Sequence, residues 1–284
     1  MSNGGQGLIE VTKLQQQIGN PDWVIFDCRF SLADKDYGSR AFQQGHIPGA
    51  HYADLEQHLS APLGSGQKGR HPLPDVDALT QFLQGCGLGN DSRVVVYDDG
   101  NGAMAARLWW LLRYLGIESV FLLNGGYGAW QAAGAEVTQA QTDAAQPASP
   151  LMVKANLQMV VTAEDILEQL DSGRFTLLDA RAGVRFRGEQ EPIDPVAGHI
   201  PGAHCYPFEE NLGRDGRFKS AAELRQRFSS LPSDSSETIC YCGSGVTACH
   251  NLFALELAGF PVARLYPGSW SEWITDTSRP LATG

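Results

Sequence analysis

A seven-residue stretch occurs twice in the chain, and this repeat constrains the fold more than any other feature. Gly45-His-Ile-Pro-Gly-Ala-His51 returns unchanged as residues 198–204, 153 positions later. A shorter motif, Asp27-Cys-Arg29, returns as Asp179-Ala-Arg181 at an offset of 152. Identities that recur in the same order indicate two copies of one fold. The chain has 284 residues, which suits two domains of about 140 residues, each large enough to bury a core.

Each copy predicts strands that alternate with helices. In the first copy we expect helices at residues 11–18 and 103–115 and strands at 23–29, 93–98 and 119–123. In the second we expect helices at 163–170 and 246–257 and strands at 175–181, 237–241 and 263–266. This alternation favours a mainly parallel sheet with helices on its faces. The predicted fold class is therefore α/β, with two such domains.

The stretch between the copies is typical of a linker. Residues 138–150 are poor in apolar side chains and contain two prolines, Pro147 and Pro150. We therefore predict a first domain at 1–137, a linker at 138–155 and a second domain at 156–284.

The segment after the predicted strand 237–241 indicates a reactive cysteine. The apolar run ends at Cys242, and a helix follows after a short glycine-containing turn. Backbone N–H groups in such a turn, together with the start of the helix, favour a thiolate over a thiol. The residues expected to form this anion-binding loop are Gly243, Ser244, Gly245, Val246, Thr247 and Ala248. Of these, Thr247 could cap the helix with its side chain or bond the sulfur, and capping is favoured.

The other cysteines of this segment leave two further interpretations. Cys240 lies within the strand and Cys249 on the helix, which is typical of small core residues. With Cys242 and His250 they also offer four potential metal ligands, although zinc sites prefer C-x2–4-C pairs. The core interpretation is favoured, and we expect neither a metal nor a cofactor.

Two ligand-binding classes fit the loop less well. The pattern Gly243-x-Gly245-x-x-Ala248 is typical of dinucleotide-binding loops, but these need an acidic residue after the next strand, which here ends in Pro267-Gly268. Cysteine phosphatases need an arginine six positions after the cysteine to grip the phosphoryl oxygens, and Ala248 occupies that position.

The loop and the repeated motifs together resemble the tandem-domain rhodanese family of sulfurtransferases over nearly the whole chain. The neutral Cys242-Gly-Ser244 loop is similar to that of the 3-mercaptopyruvate sulfurtransferases, whereas thiosulfate-preferring members carry cationic residues there. The resemblance implies an enzyme that moves sulfane sulfur from 3-mercaptopyruvate to a thiol or cyanide through a persulfide on Cys242. Thiosulfate as the donor is an alternative, and a non-catalytic persulfide carrier is an alternative of another class.

The same resemblance implies roles for residues outside the loop. Arg185 would bind the donor carboxylate, although the second arginine expected soon after it is missing from residues 190–194. Ser244 would relay protons to His71, contributed by the first domain, with Glu56 at the position of an acid. The residues of the two repeated motifs have a simpler structural interpretation: Asp179 and Arg181 are expected to pair and hold the turn, and both, with His199, to be scaffold rather than catalytic.

The offset of 143 between the two loop segments indicates which copy is active. Residues 100–106 match residues 243–249, so the position of Cys242 is taken by Asp99 in the first copy. A carboxylate cannot carry sulfane sulfur. The first domain should therefore be inactive and serve as one wall of a cleft.

Composition restricts the partners. There are 21 Lys and Arg against 32 Asp and Glu, a net charge of −11, which disfavours non-specific nucleic-acid binding. The first seven residues have no signal character, and no run approaches the ~18 apolar residues of a membrane span. We therefore expect a cytoplasmic protein with six reduced cysteines. Its partners would be a small anionic sulfur donor and a cyanide or thiol acceptor, for which a thioredoxin-like protein is one option.

Overall fold

The computed structural model describes residues 7–64, 69–143, 149–232, 237–261 and 263–284. Residues 1–6, used in the N-terminal expectation, and residues 144–148 of the predicted linker lie outside this part of the chain. The chain divides into two compact units. Unit 1 comprises Met1–Ala61, Pro74–Asn156 and Arg214–Arg217, and unit 2 comprises Pro62–Leu73, Leu157–Gly213 and Phe218–Gly284. The segment Pro62–Leu73, which the sequence places in the first copy, thus packs in unit 2.

Unit 1 contains a five-stranded parallel sheet with the order β1-β5-β4-β2-β3. Its strands are β1 (Leu8–Ile9), β2 (Trp23–Asp27), β3 (Ala50–Tyr52), β4 (Arg93–Tyr97) and β5 (Val120–Leu123). Its helices are α1 (Val11–Gln15), α2 (Tyr37–Gln44), α3 (Val76–Gly85), α4 (Ala103–Tyr114) and α5 (Gly126–Ala132). The central strand β4 is a run of valines, Val94–Val96, with no exposed surface, as expected for a strand covered on both faces.

Unit 2 repeats this order with a smaller sheet, β7-β6-β8-β9, which is also parallel. Its strands are β6 (Thr176–Asp179), β7 (His204–Cys205), β8 (Thr238–Tyr241) and β9 (Arg264–Leu265). Its helices are α6 (Ala163–Gln169), α7 (Gly183–Phe186), α8 (Ala221–Arg227), α9 (Ala248–Leu257) and α10 (Ser269–Trp273). A parallel bridge between Val160 and Leu265 occupies the place that β1 holds in unit 1. The prediction of an α/β fold with two parallel sheets is confirmed.

The repeated Asp-x-Arg motif forms a buried ion pair in each unit. In unit 2 the Arg181 guanidinium donates to Asp179 at 2.6 Å and to the Gly198 carbonyl at 2.7 Å. Burial alone would lower the Arg181 pKa, but the charge and hydrogen bond of Asp179 outweigh it, and the pKa lies above its usual value. The pair therefore stays ionised and ties the end of β6 to the repeated Gly-His-Ile-Pro-Gly loop. The predicted pairing is confirmed, and His199 in that loop is likewise used internally, its Nδ1 lying 2.8 Å from the Phe186 carbonyl oxygen.

A carboxylate fills the loop of the first copy. The buried Asp98 side chain accepts hydrogen bonds from four backbone N–H groups of the turn that leads into α4. They belong to Gly100 and Gly102 at 3.0 Å each, Met104 at 2.9 Å and Ala105 at 3.3 Å. Burial raises the Asp98 pKa, and the four N–H groups offset only part of that rise. The loop in unit 1 is thus an anion cradle that is already occupied.

The residue that fills this cradle is one position earlier than the repeat suggested. Asp99, which the repeat aligned with Cys242, is exposed and accepts a hydrogen bond from the Tyr37 hydroxyl at 2.7 Å. The predicted alignment is wrong by one residue, because the Asp98 carbonyl accepts from the Tyr127 N–H at 2.8 Å just as the Cys242 carbonyl accepts from the Trp270 N–H at 2.9 Å. Asp98 instead turns back over the loop and takes its N–H groups. The side chain that takes the loop N–H groups is therefore that of Asp98 and not that of Asp99.

No helix in the described part of the chain is both long and apolar enough to cross a membrane.

Asp98→Asn should lower the free energy of unfolding by about 1–3 kcal/mol, because the amide nitrogen would face two N–H donors that lose their acceptor. Urea denaturation measures the change. Asp99→Asn is the matched control and should stay within about 0.5 kcal/mol of the parent, since Asp99 is exposed. Equal stability of the two variants would contradict this account of the cradle.

Candidate active site

Cys242 lies at the junction of strand, turn and helix that the sequence predicts. β8 ends at Tyr241, and α9 begins at Ala248. The Cys242 residue is 2% exposed, and the loop from Gly243 to Val246 is buried. Thr247 stands at the N-cap position of α9, but its side chain makes no capping hydrogen bond. The predicted capping role of that side chain is therefore wrong.

The start of α10 holds the backbone around Cys242. The Cys242 N–H donates to the Ser269 hydroxyl at 3.1 Å, and its carbonyl accepts from the Trp270 N–H at 2.9 Å. The Gly243 carbonyl accepts from the Ser271 N–H at 2.9 Å. Ser269 adopts a φ of +55°, an unfavourable conformation for a residue with a side chain. Three hydrogen bonds from one short segment thus fix the position of the Cys242 backbone.

Gly245 allows this approach of the two segments. Its φ is +76°, and a Cβ atom there would lie 2.3 Å from the Pro267 carbonyl oxygen. A side chain at this position would push the turn away from the segment that precedes α10. The glycine is therefore required by both its conformation and its surroundings.

Ser244 and His71 form a buried hydrogen bond beside Cys242. The His71 Nδ1 atom lies 2.8 Å from the Ser244 Oγ atom, and the two residues are 2% and 6% exposed. The structure therefore brings together the two residues that the resemblance paired. His71 belongs to Pro62–Leu73 and so to unit 2, whereas we expected it from the first domain.

Glu56, the predicted acid, lies in unit 1 and accepts a hydrogen bond from Lys35 Nζ at 3.0 Å. Both members of this ion pair are partly solvent-exposed. Such a pair is typical of a protein surface.

Two arginines border the residue that follows Cys242. A Cβ atom on Gly243 would lie 3.0 Å from the Arg70 Nη2 atom, 3.6 Å from Arg185 Nη2 and 3.7 Å from Arg185 Nη1. Arg185 projects from α7 and was predicted as a cation of the site. Arg70 was missed, although its place directly before His71 in the sequence is a signal that could have identified it. Two guanidinium groups thus lie next to the residue that follows the cysteine.

Two buried carboxylates hold these arginines. Arg185 donates through Nε and Nη2 to Glu191, the shorter bond being 2.7 Å, and through Nη2 to Asp194 at 3.1 Å. Arg70 donates through Nη1 to the other oxygen of Asp194 at 2.5 Å. Arg70 Nη2 and Arg185 Nη1 make no hydrogen bond to any residue that the structure describes. These two nitrogens are available to an anion beside Gly243.

Glu191 remains ionised in this cluster. Burial acts to raise its pKa, but the hydrogen bonds and charge of Arg185 and the N–H groups of Asp194 and Ile193 outweigh burial. The Glu191 pKa therefore lies below its usual value. An ionised Glu191 keeps Arg185 oriented at neutral pH.

The neighbouring cysteines are core residues, as predicted. Cys240 and Cys249 have no exposed surface, and Cys249 donates its Sγ hydrogen to the Gly245 carbonyl at 3.3 Å. Burial raises the Cys240 pKa well above its usual range. No cluster of three or more His, Cys, Asp or Glu side chains suited to a metal ion is found among the described residues.

The chemistry available here is nucleophilic. A thiol stands at the start of a tight loop, a Ser–His pair can move a proton, and two arginine nitrogens can bind an anion.

Comparisons with known proteins find relatives over nearly the whole chain. The model of the rhodanese-like domain family matches residues 10–133 and 162–276. The chain is 55% identical to a probable 3-mercaptopyruvate sulfurtransferase of Pseudomonas aeruginosa, covering 98% of both chains. It is 41% identical to a putative thiosulfate sulfurtransferase of Mycobacterium tuberculosis, covering 100% of this chain and 99% of that one. The solved structure of 3-mercaptopyruvate sulfurtransferase from Leishmania major superposes with a TM-score of 0.85 at 31% identity, covering 99% of this chain and 77% of that one.

Gly245→Ala should destabilise the protein more than a left-handed conformation alone explains, because its Cβ atom would overlap the Pro267 carbonyl. The matched control is Gly202→Ala, since Gly202 has a φ of +78° and no atom within 4 Å of the added Cβ. The control should lose about 1–2 kcal/mol of unfolding free energy, and Gly245→Ala clearly more. Urea denaturation of both variants measures the two losses of unfolding free energy. Equal losses would show that the turn at Gly245 is not packed against the segment at Pro267.

Proposed function

Because the chain belongs to the rhodanese-like family of sulfurtransferases, we propose that it transfers sulfane sulfur from 3-mercaptopyruvate to a thiol or cyanide through a persulfide on Cys242. The reaction would proceed in two steps with a covalent intermediate. What we propose beyond the family is the identity of the donor and the roles of the individual residues.

The observation that carries the choice of donor is the hydrogen bond between Ser244 and His71 at 2.8 Å. When 3-mercaptopyruvate loses its sulfur, the organic product leaves as an enolate, and its carbon must gain a proton. When thiosulfate loses its outer sulfur, sulfite leaves as a stable anion that needs none. A buried Ser–His pair beside the nucleophile can therefore supply a proton transfer that 3-mercaptopyruvate needs and thiosulfate does not.

In the first step the deprotonated Cys242 sulfur attacks the sulfur of the donor. A sulfur–sulfur bond forms while the carbon–sulfur bond of the donor breaks, and the bonding electrons pass to the carbon as the enolate. The proton of the donor sulfur travels through Ser244 and His71 to that carbon, which leaves a persulfide anion and pyruvate. In the second step cyanide or a thiolate takes the outer sulfur and restores Cys242.

The loop from Gly243 to Ala248 would stabilise the anionic sulfur through its backbone N–H groups and the start of α9. Arg185, and the newly recognised Arg70, would bind the donor carboxylate through the nitrogens that face Gly243. An arginine suits a carboxylate because its planar fork offers two parallel N–H donors.

Thiosulfate is a second candidate donor, because several curated relatives carry that name, including the one from Mycobacterium tuberculosis and one from Mus musculus at 38% identity. It would use the same nucleophile and the same cations, and it differs from 3-mercaptopyruvate in its leaving group and in its charge, since it is a dianion.

The proposal includes an inactive first copy, residues 1–137, followed by a linker at 138–155 and a catalytic copy at 156–284. The hydrogen bonds of Asp98 support an inactive first copy, because the loop N–H groups that donate to Asp98 are not available to another anion. We place the reaction in the cytoplasm, where thiols stay reduced; all six cysteines are free. A thioredoxin-like protein would be a suitable thiol acceptor.

Steady-state kcat/KM for 3-mercaptopyruvate and for thiosulfate, with cyanide as the acceptor, tests the function. We expect a preference for 3-mercaptopyruvate and complete loss of turnover with both donors in Cys242→Ser, whose fold should be intact by circular dichroism. A higher kcat/KM for thiosulfate would mean that thiosulfate, and not 3-mercaptopyruvate, is the donor. Turnover with neither donor would favour a persulfide carrier, and turnover in Cys242→Ser would mean that the nucleophile is elsewhere.

Arg185→Ala should weaken the use of anionic donors by about 1.5–3 kcal/mol, seen mainly as a higher KM, because a charge-assisted hydrogen bond is lost. Arg187→Ala is the matched control, since Arg187 is exposed and pairs only with Glu189 among the described residues. It removes the same charge and should leave KM nearly unchanged. An unaltered KM in Arg185→Ala would remove Arg185 from the donor site.

A further inference from the structure

Asp194 occupies an unusual place for a carboxylate in a site that binds anions. One of its oxygens accepts from Arg70 and the other from Arg185, at 2.5 and 3.1 Å, and its side chain is 3% exposed. The two guanidinium groups that border Gly243 are therefore bridged by a single internal anion. The predicted second arginine is absent from this stretch, and an acid stands there instead.

We propose that Asp194 is a specificity-determining residue that makes the donor site accept a single carboxylate and discriminate against dianions such as thiosulfate. The inference rests on the proposed function and deepens it by assigning donor choice to a residue outside the active-site loop.

The charges of the cluster lead to this inference. Asp194 and Glu191 carry two negative charges, and Arg70 and Arg185 carry two positive charges, so the four side chains together are neutral. Both carboxylates are nearly inaccessible to solvent, with side-chain exposures of 3% and 4%. Their repulsion of a bound anion is therefore screened less than it would be at a surface.

A monoanion and a dianion meet this cluster differently. A carboxylate can accept hydrogen bonds from Arg70 Nη2 and Arg185 Nη1, which have no partner among the described residues. These directed bonds offset the modest cost of desolvating one charge. A dianion has a larger desolvation cost and gains no net positive charge in return, because Asp194 and Glu191 already balance the arginines. The site thus excludes a competitor by placing a like charge against it.

If Asp194 only positioned Arg70, removal of its charge would have the opposite effect on the binding of dianions. In that case the loss of the Asp194 charge would leave Arg70 less well ordered and would weaken the binding of every anion. A charge-balancing residue, once neutralised, leaves a net positive site that binds dianions better. The sign of the change therefore separates the two roles.

The first measurement is the ratio of kcat/KM for thiosulfate to that for 3-mercaptopyruvate in Asp194→Asn, which keeps the shape and removes the charge. We expect the ratio to rise at least tenfold, mainly through a lower KM for thiosulfate. Glu189→Gln removes the same charge from an exposed surface pair and should leave the ratio unchanged. A ratio that is unchanged or lower in Asp194→Asn overturns the proposal.

The second measurement needs no sulfur donor and so separates this inference from the proposed function. Cys242 is alkylated with iodoacetate, an anion, and with iodoacetamide, which is neutral, and the modified peptide is quantified by mass spectrometry. Both reagents use the same thiolate, so the ratio of their rates reports local charge rather than thiol ionisation. Asp194→Asn should raise the iodoacetate-to-iodoacetamide ratio several-fold over wild type and over Glu189→Gln.

An unchanged or lower alkylation ratio overturns the role of Asp194, whatever the donors do. If wild type turns over neither donor but the ratio still rises, the proposed function fails while Asp194 remains the charge-balancing residue of an anion site. Should Asp194→Asn not fold, Asp194→Ser makes the same test, and an unaltered iodoacetamide rate shows that the loop is intact.

Discussion

The buried ion pair between Arg181 and Asp179 supports the whole site, because a chain of charged side chains starts from it. Arg181 also donates to Glu191 at 3.3 Å and lies over the Trp270 ring, 4.8 Å from its centroid. From Glu191 this series of ion pairs continues through further hydrogen bonds to Arg70, the residue before His71. Its members, in order, are Asp179, Arg181, Glu191, Arg185, Asp194 and Arg70. Since charges alternate along this chain, each buried ion is compensated by its neighbours. The scaffold motif of the repeat and the anion site are therefore one electrostatic unit.

The two copies of the loop show two uses of one structural device. In unit 1 the turn N–H groups are satisfied by Asp98 from the preceding residues. In unit 2 the position of Asp98 is held by Cys242, because each of these residues follows the tyrosine that ends its strand, Tyr97 or Tyr241. The two tyrosine hydroxyls make the same contact, accepting from the N–H of Ile47 at 3.3 Å and of Ile200 at 3.2 Å. The second loop is therefore left with its cysteine, while the first is closed by its own carboxylate. The two turns therefore differ mainly in whether a carboxyl or a thiol follows the strand.

The apolar strands and helices next to the repeated motifs could be predicted from the sequence, whereas several other elements, including the ten-residue helix α3, were not. β4, with three consecutive valines, and α4 were predicted to within a residue or so, because apolar runs of that length fit few alternatives. The two-residue strands β1 and β7 carry no periodic signal, and neither was predicted. The loop around Cys242 and the Ser244–His71 contact followed from motifs. Arg70 and Asp194 were missed as site residues, because their importance arises from pairing across more than 120 positions of chain, as the hydrogen bond between them shows.

The path of the polypeptide makes the second copy depend on a segment of the first. Pro62–Leu73 leaves the first copy, contributes Arg70 and His71 to unit 2, and returns to unit 1 at Pro74. The second copy therefore cannot assemble its full set of site residues from its own sequence. A protein made of residues 156–284 alone would therefore lack a histidine and a guanidinium that lie beside its own cysteine loop. The two copies are repeated in sequence but are not separable at the boundary that the repeat defines.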